Sequence, residues 1–219
     1  MITNKTYYLF SVKEMPKDKT LSHIKVNNAI REEFLEKGFE AASIRSIGAR
    51  AGMTSAGLYR HYPDKEAMFA AMVEPLLCSI REWTESHSKR KYQMVDAKAG
   101  QDELFGETVM DLIKKVILPQ REAFLLLMTK SSGTKYADFV HDFVMQNQKM
   151  FLDAVKYLKK KGYPVLEVDE EEVHILLSAY VTACFETILH HQEEAKINRH
   201  LDTIHQFFMP GWLRIMGVS

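Results

Sequence analysis

Apolar residues recur every three or four positions along almost the whole chain. Near the N-terminus, Val26, Ile30 and Phe34 follow such a row. A longer stripe consists of Phe69, Met72, Val73, Leu76, Ile80, Trp83 and His87. This spacing places side chains on one face of an α-helix, and no segment alternates as a half-buried strand does. We therefore predict an all-α fold.

The composition of the chain indicates its cellular compartment and the kinds of partner it can bind. The chain has 219 residues with 46% hydrophobic content, enough for a sizeable core, and a formal net charge of zero. Attraction to a nucleic acid must therefore come from local charge. Cys78 and Cys184 lie in apolar stretches and are expected to be buried, without a disulfide. Because no signal peptide and no membrane-spanning run is evident, we expect a cytoplasmic protein.

Glycine, proline and capping residues divide the N-terminal part into four predicted helices. The first ends at Gly38, the second stops at Gly52, and the third ends before Pro63. The predicted N-caps of the last three helices are Ser43, Thr54 and Asp64. The third helix has only about eight residues and is too short to be stable alone. It must be held in place by its neighbours.

In the rest of the chain, glycine, proline and polar gaps between the periodic runs predict helices over 103–118, 120–131, 135–161, 170–192 and 196–209, with a short terminal piece from Pro210. Pro75 lies inside the fourth helix and is expected to kink it. The basic run Lys89–Lys91 is expected in a solvated loop.

We expect three parts in the chain. Residues 1–19 form an N-terminal extension, and residues 20–74 hold the compact helical trio, with its central motif at about 43–62. Residues 75–219 form a larger helical bundle.

The third predicted helix begins with the small residues Ser55, Ala56 and Gly57. The charged residues between Ala41 and Tyr62 are all arginines, namely Arg45, Arg50 and Arg60. Three short helices with a glycine turn are typical of a helix-turn-helix, whose last helix enters the major groove. A slim tip and a basic surround suit that task. The same pattern also occurs in proteins that never bind DNA, so the pattern alone leaves both interpretations open.

The stretch "SIRSIGARAGMTSAGLYRHYPDKEAMF" resembles the DNA-binding motif of the TetR family of bacterial transcription regulators. The resemblance lies in Ala51-Gly52-Met53-Thr54, in Leu58-Tyr59-Arg60-His61-Tyr62 and in Lys65-Glu66. Two departures stand out. Ile44 replaces a frequent threonine, and Ser-Ala-Gly stands at the tip where lysine and glycine are common.

The resemblance implies a DNA-binding role for ten side chains or backbone positions. Those expected to contact phosphates are Ser43, Thr54, Tyr59, His61 and Lys65. Those expected to face base edges are Arg45, Ser55, Ala56 and Gly57, with Arg45 the best candidate for a bidentate contact to guanine. Arg60 suits either role, and Arg50 is expected to be solvated or structural.

The resemblance also implies a small-molecule site and a homodimer in the C-terminal bundle. An apolar pocket with a few polar groups would be lined by Trp83, Phe105, Phe124, Met128, Phe143, Gln146, Met150 and Tyr180. Such a pocket suits a hydrophobic or aromatic effector. The apolar stripes expected at a four-helix dimer interface are Val173, Leu177, Val181, Cys184 and Ile188, followed by Ile197, Leu201, Ile204 and Phe208. The alternative is that both stripes pack inside one subunit.

No cofactor or metal is expected. Glu171 and His174 have the Glu-x-x-His spacing of di-iron bundles, but no second pair accompanies them. Gly-rich phosphate loops and Gly-x-Ser-x-Gly elbows are absent from the sequence, which argues against an enzyme. We expect a repressor that a small effector releases from a double-stranded DNA operator. The alternative is a helical ligand-binding protein, or an enzyme, without DNA binding.

Overall fold

The structure is a computed structural model that describes residues 17–97 and 109–217. In these two ranges the regular elements are all helical, as predicted. They are α1 (Lys17–Ala41), α2 (Ile44–Ala51), α3 (Ser55–Leu58), α4 (Lys65–Asp96), α5 (Val109–Leu112), α6 (Arg121–Thr129), α7 (Phe139–Lys160), α8 (Glu170–His190) and α9 (Glu194–Ile215). Between α5 and α6 the chain continues through a π-helical turn (Ile113–Ile117) and a 3-10 turn (Leu118–Gln120). Residues 1–16 of the predicted N-terminal extension 1–19, and the candidate ligand residue Phe105, lie outside the described residues, whereas residues 17–19 already belong to α1.

The three predicted side-chain caps are confirmed. Ser43 accepts a hydrogen bond from the Ser46 amide at 3.1 Å, Thr54 from the Gly57 amide at 3.2 Å, and Asp64 from the Ala67 amide at 2.7 Å. Gly52 ends α2 in the left-handed region with φ 69°, a conformation that glycine adopts at little cost. Local sequence signals therefore set the start of α2, α3 and α4.

One hydrophobic core joins the N-terminal helices to the bundle. Phe34 of α1 meets Phe69 of α4 edge to face, with ring centroids 5.2 Å apart. On its other side, the Phe69 ring lies 5.9 Å from that of Tyr136, which precedes α7. Because α4 contributes to both parts, movement of this helix must reach both.

Three helices differ from the predicted layout. Helix α9 runs through Pro210 to Ile215 without a separate terminal piece, and Trp212 in its last turns packs 5.1 Å from Phe151. Helix α4 continues to Asp96, so Lys89–Lys91 lies on a helix and not in a loop. This extension is held where Asp96 accepts a hydrogen bond from Tyr157 of α7. Helix α7 begins later than predicted, at Phe139.

Helix α8 is more apolar than expected, because no membrane-spanning run was predicted from the sequence. By length and composition, Glu170–His190 is able to cross a membrane, with a mean hydropathy of 1.4 in its most apolar window. A core helix passes the same test, and Val173, Val181, Cys184 and Ile188 are fully buried in this bundle. Packing inside the subunit accounts for these residues of α8, whereas Ile175 and Leu176 on the same helix stay exposed.

Candidate nucleic-acid interface

Helices α2 and α3 approach each other closely at the turn between them. A Cβ atom added to Gly48 would lie 2.8 Å from the carbonyl oxygen of Met53, closer than side chains tolerate. The Met53 amide also donates a hydrogen bond to the Gly48 carbonyl at 2.9 Å. Ile47 and Leu58 are fully buried beneath this turn. The glycine thus fixes how α3 is presented.

A buried carboxylate ties α2 to α1. Glu33 is fully buried, and it accepts hydrogen bonds from the Ser46 hydroxyl at 2.7 Å and from Arg50 Nε at 3.0 Å. Lys37 Nζ, one turn along α1, lies 2.8 Å from the same carboxylate, and the Ser43 amide lies 3.3 Å away. Charged groups are buried only when they are paired in this way. The network therefore fixes α2 on α1.

The pKa of Glu33 reflects a contest between two effects. Burial raises the pKa of the carboxyl, but hydrogen bonds from Lys37, Ser46 and Ser43 outweigh burial and lower it to about 2. Glu33 is therefore ionised at neutral pH. Arg50 also pairs with Glu32 and Glu36, so of the two roles expected for this arginine, solvated or structural, these contacts support the structural one.

The small end of α3 faces outward. Ala56 is exposed, Ser55 and Gly57 are partly exposed, and only Leu58 points into the core. A Cβ atom added to Gly57 would make contacts no shorter than 3.5 Å, so the fold itself tolerates a larger residue there. The hydrogen-bonded turn continues past Leu58, because the Tyr62 amide donates to the Leu58 carbonyl. A slim, accessible rod results.

Basic and hydroxyl groups surround this rod. Arg45 on α2 and Arg60 after α3 are exposed, and Tyr59 is 50% exposed. The side chains of Ser43 and Thr54 remain exposed while they cap their helices. The resemblance assigns DNA contacts to all five, and the structure leaves all five accessible to a partner. Hydroxyl and guanidinium groups are typical donors to phosphate and to base edges.

His61 is less exposed than Arg60, which precedes it. Its ring packs edge to face against His23 of α1, with centroids 5.4 Å apart. Burial, followed by the charges of His23 and Arg60, lowers the pKa of His61. The adjacent Tyr62 donates its hydroxyl hydrogen to Asn27 at 2.6 Å. His61 is thus mainly neutral at pH 7 and can offer a phosphate one N–H.

The position of Lys65 disagrees with the predicted phosphate contact. Its ammonium group donates to the carbonyl oxygens of Phe39, Glu40 and Ala42, at 2.8, 3.3 and 3.2 Å. It also lies 4.5 Å from the centroid of the Phe39 ring. Because its three N–H groups have carbonyl partners, the structure gives Lys65 the role of a C-terminal cap for α1.

Comparison with known proteins identifies the arrangement of helices α1 to α4. The family model described as "Bacterial regulatory proteins, tetR family" matches residues 28–72. YdgC of Bacillus subtilis, an uncharacterized HTH-type transcriptional regulator, is 25% identical over 165 residues, covering 74% of this chain and 77% of YdgC. The transcriptional repressor KstR2 of Mycobacterium tuberculosis is 30% identical over 145 residues, covering 62% of this chain and 66% of KstR2. The chain belongs to the TetR family.

Among solved structures, NalD of Pseudomonas aeruginosa, the secondary repressor of a multidrug efflux pump, has a TM-score of 0.41 with 16% identity. The superposition covers 90% of this chain and 97% of NalD. The family membership follows from the match over residues 28–72 and from the similarity to YdgC and KstR2.

The TetR-type head sits above a cavity of about 250 Å³ in the bundle. Its walls come from α4, α5, α7, α8 and α9. Of the predicted ligand residues, Trp83, Met150 and Tyr180 line this cavity. The flat contact between the Trp83 and His87 rings, with centroids 4.4 Å apart, forms part of the α4 wall.

Four predicted ligand residues lie elsewhere. Phe124 and Phe143 are buried against Phe185, with ring centroids 4.9 and 5.3 Å from it, and so belong to the packed core. Met128 packs against the same core, and Gln146 is exposed on α7. Helical period identifies an inward-facing residue, but it does not show whether the opposite wall leaves a gap. Residues that this reasoning missed include Phe151 and Trp212.

The predicted dimer stripes are mostly inside the subunit. The buried members are Val173, Leu177, Val181, Cys184, Ile188, Ile197 and Leu201, and Ile204 and Phe208 are partly buried against the same core. The alternative stated above, packing within one subunit, therefore describes these residues. On the same two helices Ile175, Leu176 and Phe207 are exposed, with Phe207 at 78%.

The cysteines differ from each other. Cys78 is exposed on α4, contrary to expectation, whereas Cys184 is buried. Burial raises the pKa of the Cys184 thiol to about 12. Among the described residues no three His, Cys, Asp or Glu side chains converge as metal ligands would.

Proposed function

We propose that this TetR-family regulator is a homodimeric repressor that leaves its operator when a small molecule occupies the bundle. The observation that carries the DNA-binding part is the outward-facing tip Ser55–Gly57, held by a glycine-tight turn and by the buried Glu33 network. The name of KstR2, a transcriptional repressor, favours repression as the output. Such a protein acts where the chromosome lies, in the cytoplasm.

In the proposed complex, α3 enters the major groove with its small end first. Arg45 is the candidate for a base contact, and Ser43, Thr54 and Tyr59 are candidates for phosphate contacts. Two heads of a dimer would occupy successive major grooves, about 34–36 Å apart, on a nearly palindromic site. Arg60 is exposed and suits either kind of contact.

The proposed dimer surface lies on the outer side of α8 and α9. Ile175, Leu176 and Phe207 are large apolar residues that the subunit leaves exposed. Burying such residues against a symmetry-related copy is the usual stabilising contribution in a homodimer. This surface replaces the buried stripes that the sequence suggested.

The cavity and the head are connected through α4. The first turns of this helix carry the buried core residues Met68 and Phe69, and its later turns, from Trp83 to Val95, line the cavity. A ligand that binds one head orientation better shifts the population toward it, by its difference in affinity. Pro75 lies between the two sections and remains the candidate bending point.

A second connection runs through the segment between α6 and α7, residues 130–138. The Phe39 amide of α1 donates to the Lys130 carbonyl at 2.9 Å. The Tyr136 hydroxyl donates to the Glu74 carboxylate of α4 at 2.8 Å. This segment therefore joins the end of α1 to the middle of α4, and we propose that it moves with them during release.

Arg45→Ala tests the proposed reading of DNA. We expect binding to an operator selected from fragmented genomic DNA to weaken by about 1–3 kcal/mol, with a relaxed preference at one base pair, because a bidentate base contact is lost. Gel-shift titrations at two salt concentrations, on the operator and on unrelated duplex, measure the change.

The matched control is Arg199→Ala, which removes the same charge from an exposed position on α9. It should leave operator affinity unchanged. An equal loss on both duplexes for Arg45→Ala would restrict Arg45 to phosphate contact. Failure of the unmodified protein to select any sequence would reject the regulator and favour a ligand-binding protein without DNA activity.

Phe207→Asp tests the proposed dimer surface. We expect the variant to sediment as a monomer at concentrations where the unmodified protein is a dimer, because a carboxylate cannot be buried unpaired in an apolar interface. Analytical ultracentrifugation gives the two masses. Leu166→Asp, at another exposed apolar residue, serves as the control. Dissociation of both variants, or of neither, would contradict the assignment of this surface.

A further inference from the structure

Tyr180 of α8 brings to the cavity wall a polar group that the fold does not satisfy. The residue is only 5% exposed, and its ring packs against those of Phe208 and Trp212, with centroids 5.1 and 6.5 Å away. Among the described residues, no group donates a hydrogen bond to its hydroxyl or accepts one from it. Buried polar groups nearly always have a partner. Because Tyr180 lines the cavity, a ligand can supply the missing one.

Trp212 of α9 adds a second group of this kind. It is buried and lines the cavity, and its indole N–H has no acceptor within residues 17–97 and 109–217. An indole N–H can only donate, whereas the hydroxyls of Thr84 and Ser88 on the α4 wall can donate or accept. Burial, followed by Cys184, raises the pKa of Tyr180, so its hydroxyl stays protonated at neutral pH. The α8 and α9 walls therefore need an acceptor from the ligand.

Polar groups on the other walls are already engaged in part. The Asn147 side-chain amide on α7 donates to the Phe143 carbonyl at 2.7 Å. On α4, the His87 ring stacks on that of Trp83. These contacts leave Tyr180 as the most deeply buried polar group of the described lining without a hydrogen-bond partner.

Charges of both signs lie near the cavity, and they favour neither sign of ligand. Lys91 of the lining already has an interaction within the chain, and Asp96 pairs with Lys161. Asp153 is exposed to solvent, and its charge adds to burial in raising the pKa of Tyr92. A charged ligand would lose its hydration and meet no buried, unpaired charge among the described residues. An uncharged ligand avoids this cost.

We propose that the ligand of this cavity is an uncharged, largely apolar carbonyl compound whose oxygen accepts a hydrogen bond from Tyr180. The inference rests on the proposed role of the cavity as the effector site. A ligand without an acceptor would separate the hydroxyl from water and leave it unpaired. The rings of Trp83 and Phe151 in the lining suit an aromatic group as the apolar part.

The test measures direct binding without DNA, by isothermal titration calorimetry. The probes of one series share a shape and differ in one group. The first series consists of the ketone 2-acetylnaphthalene, the alkene 2-isopropenylnaphthalene, the anion 2-naphthoate and the cation 2-naphthamidine. The second has the same four groups at position 4 of biphenyl. In at least one series the ketone should bind about tenfold more tightly than either ion, because an ion loses more hydration.

Tyr180→Phe removes the hydroxyl alone. The ratio of ketone affinity to alkene affinity should fall about tenfold, because the ketone loses its donor while the alkene no longer leaves a hydroxyl unpaired. Tyr163→Phe, outside the cavity lining, is the matched control and should keep the ratio. Because the Tyr180 hydroxyl has no described protein partner, Tyr180→Phe should resist urea as well as the unmodified protein does.

An unchanged ratio in Tyr180→Phe, tighter binding of either ion than of the ketone, or no binding by either series would overturn the inference. Unfolding of Tyr180→Phe at a lower urea concentration would do so too, because it would show that the hydroxyl has a partner in the protein. The effector role is tested separately, by adding the ketone to the operator complex. A ketone that binds as described but leaves this complex intact would reject the proposed release while the ligand class stands.

Discussion

Replacing Glu33 with alanine is expected to lower the free energy of unfolding by about 3 kcal/mol, because a fully buried, multiply hydrogen-bonded carboxylate is lost. Ser46, Arg50 and the Ser43 amide would each lose a partner, and a void would remain between α1 and α2. Urea unfolding followed by circular dichroism measures the loss.

Glu36→Ala is the matched control. Glu36 also pairs with Arg50, but its side chain is 57% exposed, whereas that of Glu33 is 0% exposed. Exposed ion pairs contribute less than about 1 kcal/mol. Similar losses for the two variants would show that burial of Glu33 adds nothing, and would contradict the role given to this network.

The pH dependence of stability provides a second measure of the same carboxylate. The pKa of Glu33 is about 2 in the folded protein, below the ordinary 4.5, so folding favours the ionised form. Its contribution is complete above the ordinary pKa and is lost as pH falls toward the folded pKa. The stability difference between the unmodified protein and Glu33→Gln should therefore shrink between about pH 5 and pH 2. A difference that stays constant across this range would exclude linkage to Glu33.

Ala56→Glu is expected to weaken operator binding by more than about 100-fold. The new side chain would place bulk and negative charge at the tip of α3, facing phosphates and base edges. Ala56 is exposed, so stability should change by less than about 0.5 kcal/mol. Fluorescence anisotropy with labelled operator, together with urea unfolding, separates these two effects.

Ala195→Glu adds the same charge at an exposed position in the first turn of α9 and should bind the operator normally. Because the two variants have the same net charge, a difference between them in operator affinity cannot be caused by net charge. Normal operator binding by Ala56→Glu would mean that α3 does not enter the groove with this end. Loss of binding by both variants would reduce the result to a general charge effect.

The sequence predicted the head well because its signals are local. Ser43, Thr54 and Asp64 each precede a periodic apolar run, and each caps the helix that follows. A cap needs only the next few residues, so its identity can be read without knowledge of the tertiary structure. The small tip after Thr54 was recognised for the same reason.

Glu33 and Lys65 were not understood from sequence because their partners arrive from other helices. In α1, a glutamate between other charged residues has the pattern of a solvated face. Its burial requires Ser46 and Arg50 of α2. Lys65 depends likewise on three carbonyl groups near the end of α1. Only the packing of the helices brings these groups together.

The bundle was predicted less accurately because periodicity reports an inward direction only. Phe124 and Trp212 both face inward, yet the first is in the packed core and the second lines the cavity. On α8, Val181 faces the subunit interior while Ile175 remains exposed. Distinguishing core, cavity and interface requires the opposing surface, which the apolar pattern of one helix does not describe.

The central claim is that the tip of α3 lies in the major groove of DNA. The most direct test is cleavage of the operator DNA by an iron chelate attached to the protein. The chelate is attached to the cysteine of an Ala56→Cys variant, in which Cys78→Ser removes the other exposed cysteine. Cys184 is buried and can remain in place. In the control, the same chelate is attached to a Glu171→Cys variant, at the exposed start of α8. This variant measures the DNA cleavage caused by a chelate that lies far from the DNA-binding head.

We predict two clusters of cuts within each operator, centred about 10–10.5 base pairs apart, from the reagent at position 56 and none from position 171. Two clusters of cuts would also show that two DNA-binding heads occupy each operator. A complex that forms normally, yet shows no more cleavage from position 56 than from position 171, would contradict the account.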